Sequence, residues 1–274
     1  MGGTNVAKAG DARQITSTTW AAKTPIKGWY EITDVGNKGS IWYYDGTNWL
    51  AQGNPILCRK NKGWLLPSLA SANAATYSQS GTTITVTSTA HGIPSTQNGK
   101  DVYLVIGSGA ATTGWFTNFT YVDANNFTCT SAVSQTTSGA VNTNTSKITI
   151  TELTTAVLGG LLGLNGTLLA ESDTIYTSSA NTKTIEYTFG SFVISATPTT
   201  TNSNGVLMKL KNRNSQSLQT CNPLIAGPYG AQTTASRYGT VDTSANQNFS
   251  VALQLAAANE FVALEHLRLI LMPD

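Results

Sequence analysis

The sequence predicts an all-β protein, several small β modules ending in a C-terminal jelly-roll-like sandwich. Three observations carry that expectation. Short runs alternate apolar residues with Thr or Ser and are separated by Gly, Asn or Asp, the signature of half-buried strands joined by turns. Only 11% of the 274 residues are charged, against about 25% in an ordinary soluble domain, and Thr, Ser, Asn and Gly fill the difference. The 6 Trp, 10 Tyr and 7 Phe, with many Val and Ile and a net charge of only +2, set the chain apart from disordered sequences, which lack such residues and carry high net charge. Thr fits the same picture, because its branched Cβ suits a pleated surface.

Residues 1–24 are small and polar without periodicity and read as an N-terminal arm. Residues 25–65 read as a Trp-rich β-meander: a strand from Trp29, a second over Ser40–Tyr44, a hairpin at Asp45-Gly46, and a third strand through Trp49. Residues 66–80, rich in Ser and Ala, read as a linker. Residues 81–152 read as a small β-sandwich module with strands at Thr83–Thr87, Asp101–Ile106, Thr117–Val122, Phe127–Thr130 and Lys147–Thr151. Residues 153–170 carry Leu153, Val157, Leu161, Leu164 and Leu168 at near-helical spacing, broken by Gly159, Gly160, Gly163 and Gly166. This segment reads as a short helix or close-packed turn, either a leucine/glycine-rich neck whose leucines meet a partner copy or an ordinary core segment. Residues 171–274 read as the jelly-roll-like domain, with strands at Thr184–Phe189, Ser191–Ala196, Gly205–Lys211, Asn248–Ala256 and Glu265–Met272. Within it, Lys209 to Arg213 alternates cations with other residues, as a strand with one wet face does.

The chemistry of the side chains narrows the function. The two imidazoles, His91 and His266, fall in a turn and a strand, where backbone bonding is the expected role of His91. No HExxH, P-loop, GxGxxG or GxSxG pattern is present. The cysteines, Cys58, Cys129 and Cys221, lack metal-ligand spacing and read as buried thiols. No catalytic, cofactor-binding or metal-binding residue is therefore expected, and no cofactor. The acids Glu152, Glu171, Asp173 and Glu186 leave a glycosidase-type carboxylate pair open. The basic cluster Arg59-Lys60-Asn61-Lys62 is short, so nucleic acid is not an expected partner. No apolar run is long enough for a transmembrane helix, and the N-terminus lacks a signal-peptide pattern, so neither membrane insertion nor secretion is expected.

Three stretches resemble known proteins. Ile32–Gly36 followed by Gly39–Gly46 and Asn48-Trp49 resembles a unit near the N-terminus of bacteriophage virion proteins. Thr83–Thr87 with Thr89–Gly92, Val102–Leu104 and Asn126–Thr128 is similar to a β module of phage fibres. Val241–Gln247 with Leu253–Ala258 and Ala263–Glu265 is similar to the C-terminal sandwich of trimeric phage fibre and head-decoration proteins. The resemblance implies a non-enzymatic homotrimer on the virion exterior, a short fibre or a head-decoration protein. Its partners would be other virion proteins of capsid or tail and a host-surface glycan. Trp29, Trp42, Tyr43, Trp49 and Trp64 are the expected virion-docking residues. Leu153, Val157, Leu161, Leu164 and Leu168 are the expected trimer contacts. Tyr229, Arg237 and Tyr238 are the expected outward-loop residues. A capsid cement protein without a receptor, a tail-associated glycan hydrolase and a secreted carbohydrate-binding module remain as alternatives.

Overall fold

The computed structural model describes the backbone of residues 13–15, 28–32, 41–44, 49–51, 56–60, 62–70, 75–221 and 237–272; before residue 56 only one side chain, Tyr30, is described. Strands β1 (Arg13–Ile15), β2 (Gly28–Ile32), β3 (Ile41–Tyr44) and β4 (Trp49–Ala51) form a four-stranded sheet in that order. The antiparallel β2–β3–β4 run is the expected meander. Within the expected arm, β1 pairs parallel with β2, so part of that arm is ordered by its own chain. The side chains of Trp29, Trp42, Tyr43 and Trp49 lie outside the described residues.

From β5 (Ile56–Lys60) and β6 (Trp64–Ser68) onward the chain builds two larger sheets. Strands β7 (Ala75–Thr87), β8 (Asp101–Ile106), β9 (Gly114–Asp123) and β10 (Asn126–Asn142) form an inner module. There follow β11 (Ile148–Thr149), β12 (Thr155–Val157), β13 (Thr167–Tyr176), β14 (Lys183–Phe189), β15 (Phe192–Ala196), β16 (Ser203–Asn212), β17 (Gln219–Cys221), β18 (Arg237–Gly239), β19 (Gln247–Leu255) and β20 (Glu260–Met272).

Leaving the module aside, the pairing is that of a jelly roll. One sheet runs β18-β17-β16-β13-β20, with β5 and β6 sharing the far side of β20; the facing sheet runs β15-β14-β19, with β11 and β12 sharing the far side of β19. All of these pairs are antiparallel. With β5/β6 counted as one interrupted strand and β12 as the second, the eight principal strands read first-eighth-third-sixth in one layer and second-seventh-fourth-fifth in the other. That is the strand order of an eight-stranded double-sheet roll. Its core is the large apolar cluster containing Trp64, Leu66, Leu168, Met208, Phe249, Leu253, Leu264 and Leu269. Alternation fixes which face points in: β14 and β15 bury every second residue, and β16 does so over Val206, Met208 and Leu210.

The first strand of the roll is interrupted for a reason visible in its partner. β20 carries a bulge, in which Asp173 pairs with His266 and Thr174 with Leu264, leaving Glu265 unopposed. The extra residue lets Leu264 and Leu267 face the same core although they are three apart. β6 pairs with β20 before the bulge and β5 after it.

The module is an insertion between the first and second strands of this roll. β7 opens it and β10 closes it, with Ala75 opposite Val141, so the chain enters and leaves side by side. β10 is 17 residues long and bends at an irregularity between Thr130 and Gln135, which returns its end to β8. The module encloses its own cluster, including Tyr77, Val86, Leu104, Phe119 and Phe127, and borrows Leu65, Phe261 and Ala263 from the roll.

Several expected boundaries are corrected by this topology. The expected linker 66–80 is in part the fully buried β6 and the first half of β7. The sandwich begins at β5, well before residue 171. The neck at 153–170 is neither helix nor unpartnered: it comprises a short 3-10 turn at Thr151–Leu153, β12, and turns leading into β13. Gly160 and Gly163 take φ of +81° and +61°, which stops helical propagation. Leu153, Val157, Leu161 and Leu168 are buried in this chain's own core, so they are not trimer contacts; Leu164 alone is half exposed. Trp64 is likewise a core residue, 1% exposed, and not a docking aromatic.

Candidate functional site

The groups most capable of chemistry are largely committed to structure. His91 accepts a hydrogen bond at Nδ1 from the Ile93 amide (3.1 Å) and bonds the Asp123 carbonyl through Nε2 (2.9 Å). The first contact leaves the ring proton on Nε2, so both nitrogens serve the backbone of a turn. A depression beside it is lined by Gly92, Pro94, Ser95 and Tyr121 among others. Burial pushes the thiols of Cys129 and Cys221 up to about 12, so neither is a thiolate at neutral pH. Among the described residues no three metal-ligating side chains converge, and no helix is long and apolar enough to cross a membrane.

Two ionic clusters brace the fold. At the bulge, Lys62 pairs with the buried Asp101 at 2.7 Å and Lys100 with Glu265 at 2.9 Å, joining the module to the roll. Gly63 allows this: a Cβ there would lie 2.6 Å from the Lys100 stem. At the end of the sandwich, Lys183 is fully buried. Its Nζ donates to Ser179 Oγ (2.5 Å) and the Asn181 carbonyl (2.8 Å) and lies 3.6 Å from Glu260, which also accepts from Ser179 and Asn181. The Ser179–Lys183 contact has the atoms of a serine–lysine dyad. The lysine, however, is saturated with oxygen partners and its charge is held against a carboxylate, which is the arrangement of a clasp.

Each of three acids singled out in the sequence has a basic partner. Glu171 is held by Arg268 (3.3 Å) and Asp173 by His266 (3.2 Å) on the outer face of the roll, while Glu186 is held by Lys147 (2.8 Å) on the facing sheet.

Among the described residues a group of exposed side chains without a carboxylate partner lies on the outermost strands β16, β17 and β18. Lys209 and Lys211 project from the solvent face of β16, as the alternation of that segment predicts. Lys211, Thr220 and Tyr238 stand directly across from one another on three adjacent strands. Tyr238 is 69% exposed, and the Arg213 guanidinium lies 5.2 Å from its ring centre. Arg237 points along the sandwich rim, 5.7 Å over Phe192. Leu207 and Leu218 are exposed beside them. Of the expected outward residues, Arg237 and Tyr238 are thus both at this surface, and Tyr229 lies outside the described residues. Lys209, Lys211 and Arg213 were legible as a wet strand face, but their meeting with Tyr238 depends on the β16–β17–β18 pairing.

This surface rests on a satisfied polar lock. The buried Asn212 side chain donates to the Gly163 carbonyl (2.7 Å) and Thr243 Oγ1 (2.9 Å) and accepts from Gln219 (3.0 Å). Gln219 exchanges two further bonds with the backbone of Val241, at 2.9 and 2.8 Å. Such a buried network fixes the turn between β16 and β17 on the sandwich.

Comparison with protein-family models, with curated proteins and with solved structures finds no match to this chain.

Proposed function

We propose that the chain is a non-enzymatic structural protein on the exterior of a bacteriophage particle, a homotrimeric short fibre or head-decoration protein. Its N-terminal four-stranded sheet docks on other virion proteins, and the jelly roll faces outward. The observation that carries the reading is modular: a small four-stranded sheet rich in aromatic residues precedes a jelly roll with an inserted β module, and each unit contains one of the three stretches that resemble phage virion proteins. The commitment of His91, Ser179 and Lys183 to structural bonds supports a binding rather than a catalytic role. The trimer stands on the resemblance alone, because Leu153, Val157, Leu161 and Leu168 lie in the chain's own core.

Electron microscopy of labelled particles tests the location, with density on the outer surface expected; a protein absent from purified particles contradicts the proposal. Light scattering coupled to size exclusion tests the assembly, with three times the 28.8 kDa chain mass expected and a monomer contradicting it. Incubation with host capsule or lipopolysaccharide tests the absence of hydrolysis; shortened glycans would return the carboxylates to consideration.

A further inference from the structure

We infer that the outer surface of β16–β18 is a binding strip for a linear acidic glycan, with Lys209, Lys211 and Arg213 meeting its carboxylate or ester anions and Tyr238 packing against a sugar ring. The inference deepens the outward-facing role proposed above.

Charge is the first ground. Of the lysines and arginines with described side chains, Lys62, Lys100, Lys147, Lys183 and Arg268 each have a carboxylate within salt-bridge distance. Lys209, Lys211, Arg213 and Arg237 have none among the described residues, and all four lie on or beside three adjacent strands. The intervening sequence 222–236 contains no Asp or Glu. The nearest carboxylate across the sheet, Glu171, stands opposite Leu207 and is held by Arg268. Arg59 and Lys60 on β5 also lack a carboxylate among the described residues, but the β16–β18 group is the larger of the two and stands beside the exposed Tyr238, so that an anion from outside can complete it.

Shape and chemistry then select among anions. Lys209 and Lys211 are two residues apart on one face, roughly 7 Å, and Lys211 and Tyr238 are two strands apart, roughly 10 Å. The strip is therefore a short row, suited to an extended chain rather than a point ion. The turn between β16 and β17 adds Asn214, Ser215, Gln216 and Ser217, whose amides and hydroxyls match sugar hydroxyls. Tyr238 offers exposed aromatic surface on a fixed strand, which adds contact at low entropic cost. Nucleic acid fits less well. Tight duplex binding neutralises about 6–10 phosphates, more than this strip supplies, and the chain as a whole carries only +2. The lock formed by Asn212, Gln219 and Thr243 holds the row in place before any ligand arrives.

The test uses the full chain and alginate oligosaccharides, a linear uronate polymer, with neutral dextran of matched length, a single-stranded oligonucleotide and polyglutamate as comparators. Binding is read by titration calorimetry at low and moderate salt. The wild type is expected to bind alginate, more weakly as salt rises, and not dextran. The Lys209→Gln/Lys211→Gln/Arg213→Gln variant is expected to lose at least tenfold in affinity, and Tyr238→Ala several-fold. Arg59→Gln/Lys60→Gln, which removes two positive charges from β5, is expected to bind as wild type. All these side chains are exposed, and unchanged melting confirms that each variant is folded. No binding to alginate, equal losses in the β5 variant, or tighter binding to the oligonucleotide or polyglutamate would each overturn the inference. If alginate is not bound but particles carry the protein on their surface, the display role stands and only the ligand class fails. If alginate is bound but particles lack the protein, the reverse holds.

Discussion

The inserted module and the jelly roll are built from the same residue types yet are closed in opposite ways. In the module, β7 to β10 are sequence neighbours. The Asp123–Asn126 turn joins two of them, with the Asn125 amide donating to the Asp123 carboxylate at 2.7 Å. In the roll, β20 at one end of the chain lies between β13 and the pair β5 and β6, which come from the other end. The module could be read from consecutive alternation and turn residues, whereas the roll depends on contacts that no local window contains. Local pattern therefore identifies strands and hairpins, and says little about which strand completes a sheet across an insertion.

The largest expected effect tests the clasp that ends the roll. Lys183→Met leaves Glu260 buried without its cation, and loss of one partner of a buried pair costs about 3–5 kcal/mol. Chemical denaturation should show that loss for the roll; a change below about 1 kcal/mol would mean the clasp is hydrated and not part of the core.

A second variant sharpens the comparison by acting on the module alone. Phe127→Ala removes a fully buried ring from the module cluster and should cost about 3–5 kcal/mol. Cys129 lies in that cluster and Cys221 in the roll, so their alkylation rates report the two regions separately. With Cys58 replaced by Ser, labelling of Cys129 should accelerate by two to three orders of magnitude, roughly tenfold per 1.4 kcal/mol, while Cys221 stays slow. Equal acceleration at both thiols would mean that the two regions open together.

The smallest effect concerns the junction. Burial is the largest influence on Asp101 and raises its carboxyl above the ordinary range, outweighing the bond from Lys62. The folded state then holds the proton more tightly than the unfolded chain. Asp101 favours folding most below about pH 4, and that contribution is lost as pH rises through its folded value. Asp101→Asn should flatten the corresponding fall in stability above pH 4, seen as a smaller change in melting temperature between pH 4 and 7 than in the wild type. An unchanged pH slope would assign the titration elsewhere.

These contrasts also explain what the sequence disclosed. The strands expected between residues 83 and 130, the meander, the all-β class and the wet face at Lys209–Arg213 follow from period-two alternation, which needs no partner to be visible. The strand expected at Lys147–Thr151, by contrast, is β11 and belongs to the roll's facing sheet, not to the module. β6 was hidden because it is buried on both faces, so its run from Trp64 to Leu66 has no alternation. The 153–168 leucines imitate a helical stripe only because a strand, a turn and a second strand place apolar residues at similar intervals. The β16–β18 surface was half legible: Arg237 and Tyr238 stood out as residues, but the register of Tyr238 with Lys211 arises from the β16–β17–β18 pairing.

The most direct test of the architecture is to remove the insertion. A chain lacking residues 75–142, closed by a short glycine–serine linker, with Leu65→Thr and Phe261→Thr on the face that the module covers, should keep the roll intact. The account predicts a single cooperative unfolding transition and slow hydrogen exchange at β6 and β20 amides. A chain that unfolds without cooperativity, or whose β6 amides exchange as fast as an unstructured segment, would contradict a jelly roll that begins at β5 and resumes after the module.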